Sequence, residues 1–375
     1  MGVVLTYANL DQLRIKGVLI RECVILNRKK SSWVGFSLFM LHLETTGDVK
    51  SQRECYPTQF STRYDPHRNT LWCLLNPFPT PCINVNLLRE LSLLQSRLKA
   101  SYSQHNTLGK SIHSIVLASK NPDVFSLGGD LALFKRLIDA GDRVSLSHYA
   151  RTCARLFYNN LVNLNLPIQM ISLVRGKALG GGFEIALSSR TIIAERSARL
   201  GLPEVLFNQT PAMGAYPILA QRIGVIEAEK LILSGKTYSA SELLDMGVID
   251  QLVEDGEGIL AVNEYVDKMS AARNSYRAVH SMRQLFAPVT LQNMLDMVEV
   301  WVEVALSLTR RDLAKMEKLL VLQASYSSNH SSSKQEWRAF SEWRATEPQK
   351  LSFPLVDHMG VQVISDRRKQ IERRH

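Results

Sequence analysis

Residues 176–184 read GKALGGGFE and stand between an apolar run at 169–174 (QMISLV) and a segment of helical character. That order predicts a buried strand, a glycine turn and a helix start. Glycines at such a turn leave the backbone bare, so a ligand can approach it closely. The N–H groups at the helix start point outward, with the positive end of the helix dipole behind them. A second turn of the same kind lies upstream. Residues 125–130 read FSLGGD, after a short apolar strand expected at 114–119 (SIVLAS) and before a helix at 131–140 whose Leu131, Phe134 and Ile138 share one face. Two such turns on adjacent strands can each aim one N–H at a single oxygen, which is the arrangement of an oxyanion hole.

Two carboxylates accompany the glycines. Glu184 falls in the first turn of the helix after the second glycine loop, and Glu204 follows 20 residues later in GLPEV, residues 201–205. An apolar strand expected at 191–194 (TIIA) runs between them and returns the chain to the same end of the sheet. Two acids beside an oxyanion hole suit proton abstraction next to a thioester carbonyl. One removes the α-proton, the hole holds the enolate oxygen, and the other protonates the departing hydroxyl. Taken singly, each feature has a plainer reading. A glutamate in a first helical turn is often a dipole partner, and a Gly-Gly pair is often only a tight turn. Joint order and spacing favour catalysis.

The surrounding chain reads as alternating strands and helices. Residues 69–76 (NTLWCLLN) predict a buried strand, 85–98 a helix, and 144–164 a helix carrying Tyr149, Cys153, Leu156 and Phe157. A late strand is expected at 248–253 and one long helical stretch at 291–324. A capping box at Ser239 and Glu242 opens a further helix that Gly247 stops. Residues 15–26 fit a strand or a short helix equally, and 44–69 read as a polar loop. Buried strands without period-2 alternation, interleaved with helices, predict an α/β layer structure with parallel pairing.

Composition excludes several classes. The chain has 375 residues, 45% hydrophobic and 21% charged, which is ordinary globular usage. The longest apolar stretch, residues 34–43, is far short of the roughly 20 residues that span a bilayer, so no stable membrane insertion is expected. No secretory leader is read at the start. Five cysteines (Cys23, Cys55, Cys73, Cys82 and Cys153) are odd in number and form no CxxC. They fit a reducing cytoplasm rather than a zinc knuckle or a disulfide scaffold. The net charge of +10 sits in the flanks, because residues 110–325 hold 23 Lys/Arg against 22 Asp/Glu. A nucleic-acid reader would concentrate charge in its folded body, so no nucleic acid partner is expected. Residues 325–333 (SYSSNHSSS) read as a linker and 366–375 (DRRKQIERRH) as a solvated tail or a docking arm. GKS at 109–111 and GKT at 235–237 lack the earlier glycine of a P-loop, with Gln104 and Lys230 in its place. The nine histidines form no ligand spacing, and no metal is expected.

These residues resemble the crotonase (enoyl-CoA hydratase/isomerase) superfamily, and within it the bacterial diffusible signal factor synthases, which make cis-2-unsaturated fatty acid quorum signals. The carrying stretches are 124–134 (VFSLGGDLALF), 178–187 (ALGGGFEIAL), 191–195 (TIIAE) and 201–207 (GLPEVLF), joined by 213–216 (MGAY) and 298–305 (VEVWVEVA). The resemblance covers residues 60–325. It leaves 1–59 as an extension of unknown role and 326–375 as linker and basic tail. It implies a crotonase-like α/β spiral of ββα units with C-terminal helices covering the active site, assembled as a trimer or a dimer of trimers. It implies Gly129 and Gly181 as oxyanion-hole donors, with Gly128 and Gly180 beside them. Glu184 and Glu204 are the implied acid/base pair, and Leu179, Met213, Trp301 and Leu319 the implied lining of an acyl pocket.

The implied chemistry has two steps and needs no metal or redox cofactor. A 3-hydroxyacyl chain on acyl carrier protein (acyl-ACP) is dehydrated to the cis-2-enoyl form, Glu204 taking the α-proton and Glu184 protonating the hydroxyl. The thioester is then hydrolysed to the free acid. Two other readings stand beside it. One is a hydratase or isomerase of fatty acid metabolism that acts on acyl-CoA. The other is a non-catalytic crotonase-fold protein whose basic flanks steer an acidic partner, such as a sensor kinase's receiver domain.

Overall fold

The computed structural model describes residues 58–103 and 112–326. The readings made for residues 15–26, the basic end at 366–375, and most of the 1–59 extension and of the serine-rich linker lie outside the described residues.

Two sheets organise the chain. The larger has six strands in the order β1 (Phe60–Asp65), β2 (Thr70–Leu75), β3 (Ser114–Ser119), β5 (Gln169–Val174), β7 (Thr191–Glu195) and β10 (Gln251–Val253). Pairing is parallel throughout except for β1 against β2. Every residue of β2, β3, β5 and β7 is buried, because both faces are covered. Leu71, Cys73 and Leu75 face the main core, while Trp72 and Leu74 turn to a second cluster. That cluster includes Ala261, Val262 and Val266 of the helix Gly258–Ala271. This double coverage is why the strands read as continuous apolar runs.

The smaller sheet holds β4 (Val124–Ser126), β6 (Lys177–Leu179), β8 (Arg199–Gly201) and β9 (Thr237–Ser239) in that order. β4, β6 and β8 run parallel. Their C-terminal ends therefore lie along one edge, where the chain enters Gly128–Gly129, Gly180–Gly181 and Pro203–Glu204. Binding at the carboxyl ends of parallel strands is a general property of such sheets.

Several sequence expectations are corrected. Residues 60–65 are an edge strand, not part of a loop; its polar, half-buried sequence FSTRYD carries no apolar run. The chain between Glu184 and Glu204 returns through two strands: β7 in the large sheet and β8 in the small one. The stretch 291–324 is two helices, Leu291–Leu306 and Arg310–Ser325. The second opens with its own capping box, in which Thr309 and Asp312 bond reciprocally. The helix at 144–164 ends at Leu161, because Asn163, Leu164 and Asn165 take positive φ. No described helix is long and apolar enough to cross a membrane. The fold is thus an α/β one with two mixed sheets and C-terminal helices.

Candidate active site

A cavity of about 350 Å³ opens at the edge where β4, β6 and β8 end. That volume lies within the range that takes a small ligand. Its lining includes Gly128, Gly129, Gly180 and Gly181, both Glu184 and Glu204, and Leu179, Met213, Trp301 and Leu319. The structure therefore brings together every residue that the sequence nominated for the site.

The two glycine turns touch. A Cβ on Gly128, whose φ is +93°, would lie 2.8 Å from the Leu179 carbonyl oxygen and 3.2 Å from the Gly181 nitrogen. Only glycine permits that approach and that backbone. The Gly128 carbonyl accepts the Ile83 N–H at 2.7 Å, and the Gly180 N–H donates to the Gly201 carbonyl at 2.8 Å. Among the described residues, no backbone acceptor takes the N–H of Gly129 or of Gly181. Gly181 is the first residue of the helix Gly181–Leu187, where N–H groups have no partner within the helix.

Glu184 lies in the first turn of that helix and is 1% exposed. Its Oε1 accepts the Met213 N–H at 2.7 Å and the Ala215 N–H at 3.2 Å. Burial pushes its carboxyl up to about 7, and these N–H groups pull the other way by favouring the carboxylate. Glu204 sits on the short 3-10 helix Pro203–Phe207. It is half-buried as a residue, yet its Oε2 is shut off from solvent and has no hydrogen-bond partner. Burial raises it first and the charge of Glu184 second, to about 8. Of the two acids Glu184, though the more buried residue, is held the lower by the backbone N–H groups that its carboxylate accepts.

The acyl wall is aromatic and aliphatic. Trp301 packs edge-on against Phe134 at 5.2 Å, and Phe134 against Tyr149 at 5.0 Å. Met316 and Leu319 of the helix Arg310–Ser325 close the cavity from the far side. That helix is tied down by Asn208 Nδ2 donating to Asp312 and by the Lys135–Glu317 ion pair.

Phe134, Lys177, Arg199 and Gln323 also line the cavity and were not nominated. In the sequence Phe134 stands on a helix face, at the end of the stretch 124–134 that carries the family resemblance. Gln323 lies one helical turn after Leu319, so the i, i+4 rule would have found it once Leu319 was placed. Lys177 and Arg199 belong to three-residue strands, too short for a periodicity signal.

The chain is 30% identical over 158 residues to the fatty acid oxidation complex subunit alpha of Vibrio cholerae, 42% of this chain and 22% of that one. It is 32% identical over 137 residues to the mevalonyl-coenzyme A hydratase SIDH of Beauveria bassiana, 36% of this chain and 49% of that one. The match thus spans a fifth to a half of those relatives. The fold resembles the enoyl-CoA hydratase of Bacillus halodurans with a TM-score of 0.58 and 23% identity, covering 69% of this chain and 99% of that one. It also resembles DspI of Pseudomonas aeruginosa, with a TM-score of 0.53 and 23% identity over 68% of this chain and 98% of that one. Residues 98–312 match the family described as enoyl-CoA hydratase/isomerase. More than half of the chain carries that match, and the chain belongs to the enoyl-CoA hydratase/isomerase family.

Proposed function

We propose that this protein adds water across the C2–C3 double bond of a 2-enoyl thioester, or removes it from the 3-hydroxyacyl form. One observation carries the reading: the carboxyls of Glu184 and Glu204 share a cavity with the N–H groups of Gly129 and Gly181, which no backbone acceptor takes among the described residues. The thioester oxygen sits between the N–H groups of Gly129 and Gly181, which stabilise the enolate as charge moves onto it. In the hydration direction ionised Glu184 takes a proton from water as its oxygen bonds C3, and protonated Glu204 delivers a proton to C2. In the reverse direction Glu204 removes the C2 proton and Glu184 protonates the departing hydroxyl. The order in which the acids ionise favours the resting state that hydration needs. Glu184→Gln and Glu204→Gln should each lower kcat/KM for hydration by about 10² or more, the usual scale for a positioned acid or base. Unchanged rates in both variants would refute the assignment.

A second, finer reading has its own support. Leu179, Met213, Trp301 and Leu319, which the resemblance to the signal synthases implies as the lining of an acyl pocket, all line this one cavity. On that reading the substrate is a 3-hydroxyacyl chain on acyl carrier protein in the cytoplasm. After dehydration, water cleaves the thioester to a free cis-2-unsaturated acid and the carrier thiol. Mass spectrometry of fatty acids released by a bacterium expressing the chain tests it. Free 2-enoic acid that disappears in Glu204→Gln supports it; turnover of enoyl-CoA alone, with no free acid, selects the hydratase reading.

A further inference from the structure

A Gly-Gly turn is the most mobile kind of backbone, yet the Gly129 N–H has to point at one oxygen. Three successive carbonyls restrain it. The Gly128 carbonyl accepts the Ile83 N–H at 2.7 Å. The Leu127 and Gly129 carbonyls both accept from one side-chain nitrogen, Gln323 Nε2, at 3.0 and 2.9 Å. No other backbone donor reaches either carbonyl among the described residues. Gln323 is 6% exposed, lines the cavity, and belongs to the helix that covers it. The peptide bearing the Gly129 N–H is therefore held through its own carbonyl by Ile83, and the peptides on either side of it are both held by the one Gln323 amide, which fixes the two planes between which it is slung. Leu319 and Met316, on the same helix, touch the space for the acyl chain.

We propose that Gln323 is a positioning residue: it fixes the direction of the Gly129 N–H and makes the oxyanion hole depend on the seated cover helix. This rests on Gly129 being an oxyanion donor, as set out above. Chemistry is then fast only when the helix that closes the acyl cavity is in place. A carbonyl without its donor is also a buried polar group left unpaired, so the loop would relax toward other partners.

The test uses the full chain and Gln323→Leu, which keeps the bulk and removes the donor. With a 2-enoyl-CoA substrate, kcat should fall roughly ten- to a hundred-fold, the scale of a donor misplaced rather than deleted, while KM changes little. A 3-oxoacyl-CoA gives a second readout, because its enolate absorbs in the near ultraviolet. Wild type should stabilise that enolate, and Gln323→Leu should lose the band while still binding the enoyl substrate. A merely structural residue would not separate these. Gln323→Glu is a second variant, used if the leucine form does not fold. Its protonated carboxyl donates one bond and its carboxylate none, so its deficit relative to wild type should deepen as pH rises. A foldable variant with wild-type kcat and an intact enolate band overturns the proposal. Loss of activity in Glu184→Gln and Glu204→Gln with no effect at Gln323 removes only the positioning role. Full activity in the glutamate variants removes the functional reading itself.

Discussion

The charge of Glu184 raises the carboxyl of Glu204, so two acids 20 residues apart in the chain titrate as one coupled pair. Burial lifts both, and the N–H groups of Met213 and Ala215 hold Glu184 lower of the two. Between about 7 and about 8 the pair passes through the state with one shared proton, which Glu204 holds the more tightly.

The rate of hydration should show a narrow bell against pH. kcat/KM rises as Glu184 ionises near about 7 and falls as Glu204 loses its proton near about 8. These limbs belong to the pair rather than to either acid alone. In Glu204→Gln the alkaline limb should vanish from the residual activity. A flat profile between pH 5 and 10 would contradict this.

Stability should respond with a definite sign. Glu204 binds its proton more tightly folded than unfolded, so its contribution is present below about 4.5 and is lost as pH rises through about 8. Glu204→Gln removes that loss. Its unfolding free energy, relative to wild type, should grow between pH 5 and pH 8 by at most about 1.4 kcal/mol per pH unit. Urea melts at several pH values measure it, and a pH-independent difference would count against a buried, proton-bearing Glu204.

Gly180 has φ +54°, and a Cβ there would lie 2.6 Å from Glu204 Oε1. Gly180→Ala should therefore strain the turn by roughly 1–3 kcal/mol and displace the acid. The expected result is at least a ten-fold loss of kcat with a smaller loss of stability than a core truncation gives. Normal kcat would show that Glu204 tolerates displacement.

Trp301 is 4% exposed and walls the cavity beside Phe134. Trp301→Ala should cost about 3–5 kcal/mol and shift preference toward bulkier or longer acyl chains. Leu319→Phe should shift it toward shorter ones. Competition assays over a chain-length series check both; an unchanged preference would place the acyl chain elsewhere.

The site was more legible in the sequence than the fold around it. Gly128, Gly129, Gly180, Gly181, Glu184 and Glu204 could be read because each is a turn or helix-start residue whose chemistry depends on type and local order. The buried strands β2, β3, β5 and β7 were readable as apolar runs. The small sheet was not, since β4, β6, β8 and β9 have three residues each, too few to show a period-2 alternation repeating. β1 was hidden by its polar edge position. The break at Ser307–Thr309 was missed because apolar residues continue on both sides of it. Gln323 escaped notice for a different reason: its role comes from bonds to residues 127 and 129, nearly 200 positions away.

Exchange of the C2 proton of a 3-hydroxyacyl thioester in D2O, followed by NMR, isolates the step assigned to Glu204 and the two backbone N–H groups. Wild type should incorporate deuterium at C2, and Glu184→Gln should retain part of that exchange because its defect lies at C3. Glu204→Gln should show none. Wild-type deuterium uptake in Glu204→Gln would mean that another group handles the proton, and the pairing of these two acids around one carbonyl would be wrong.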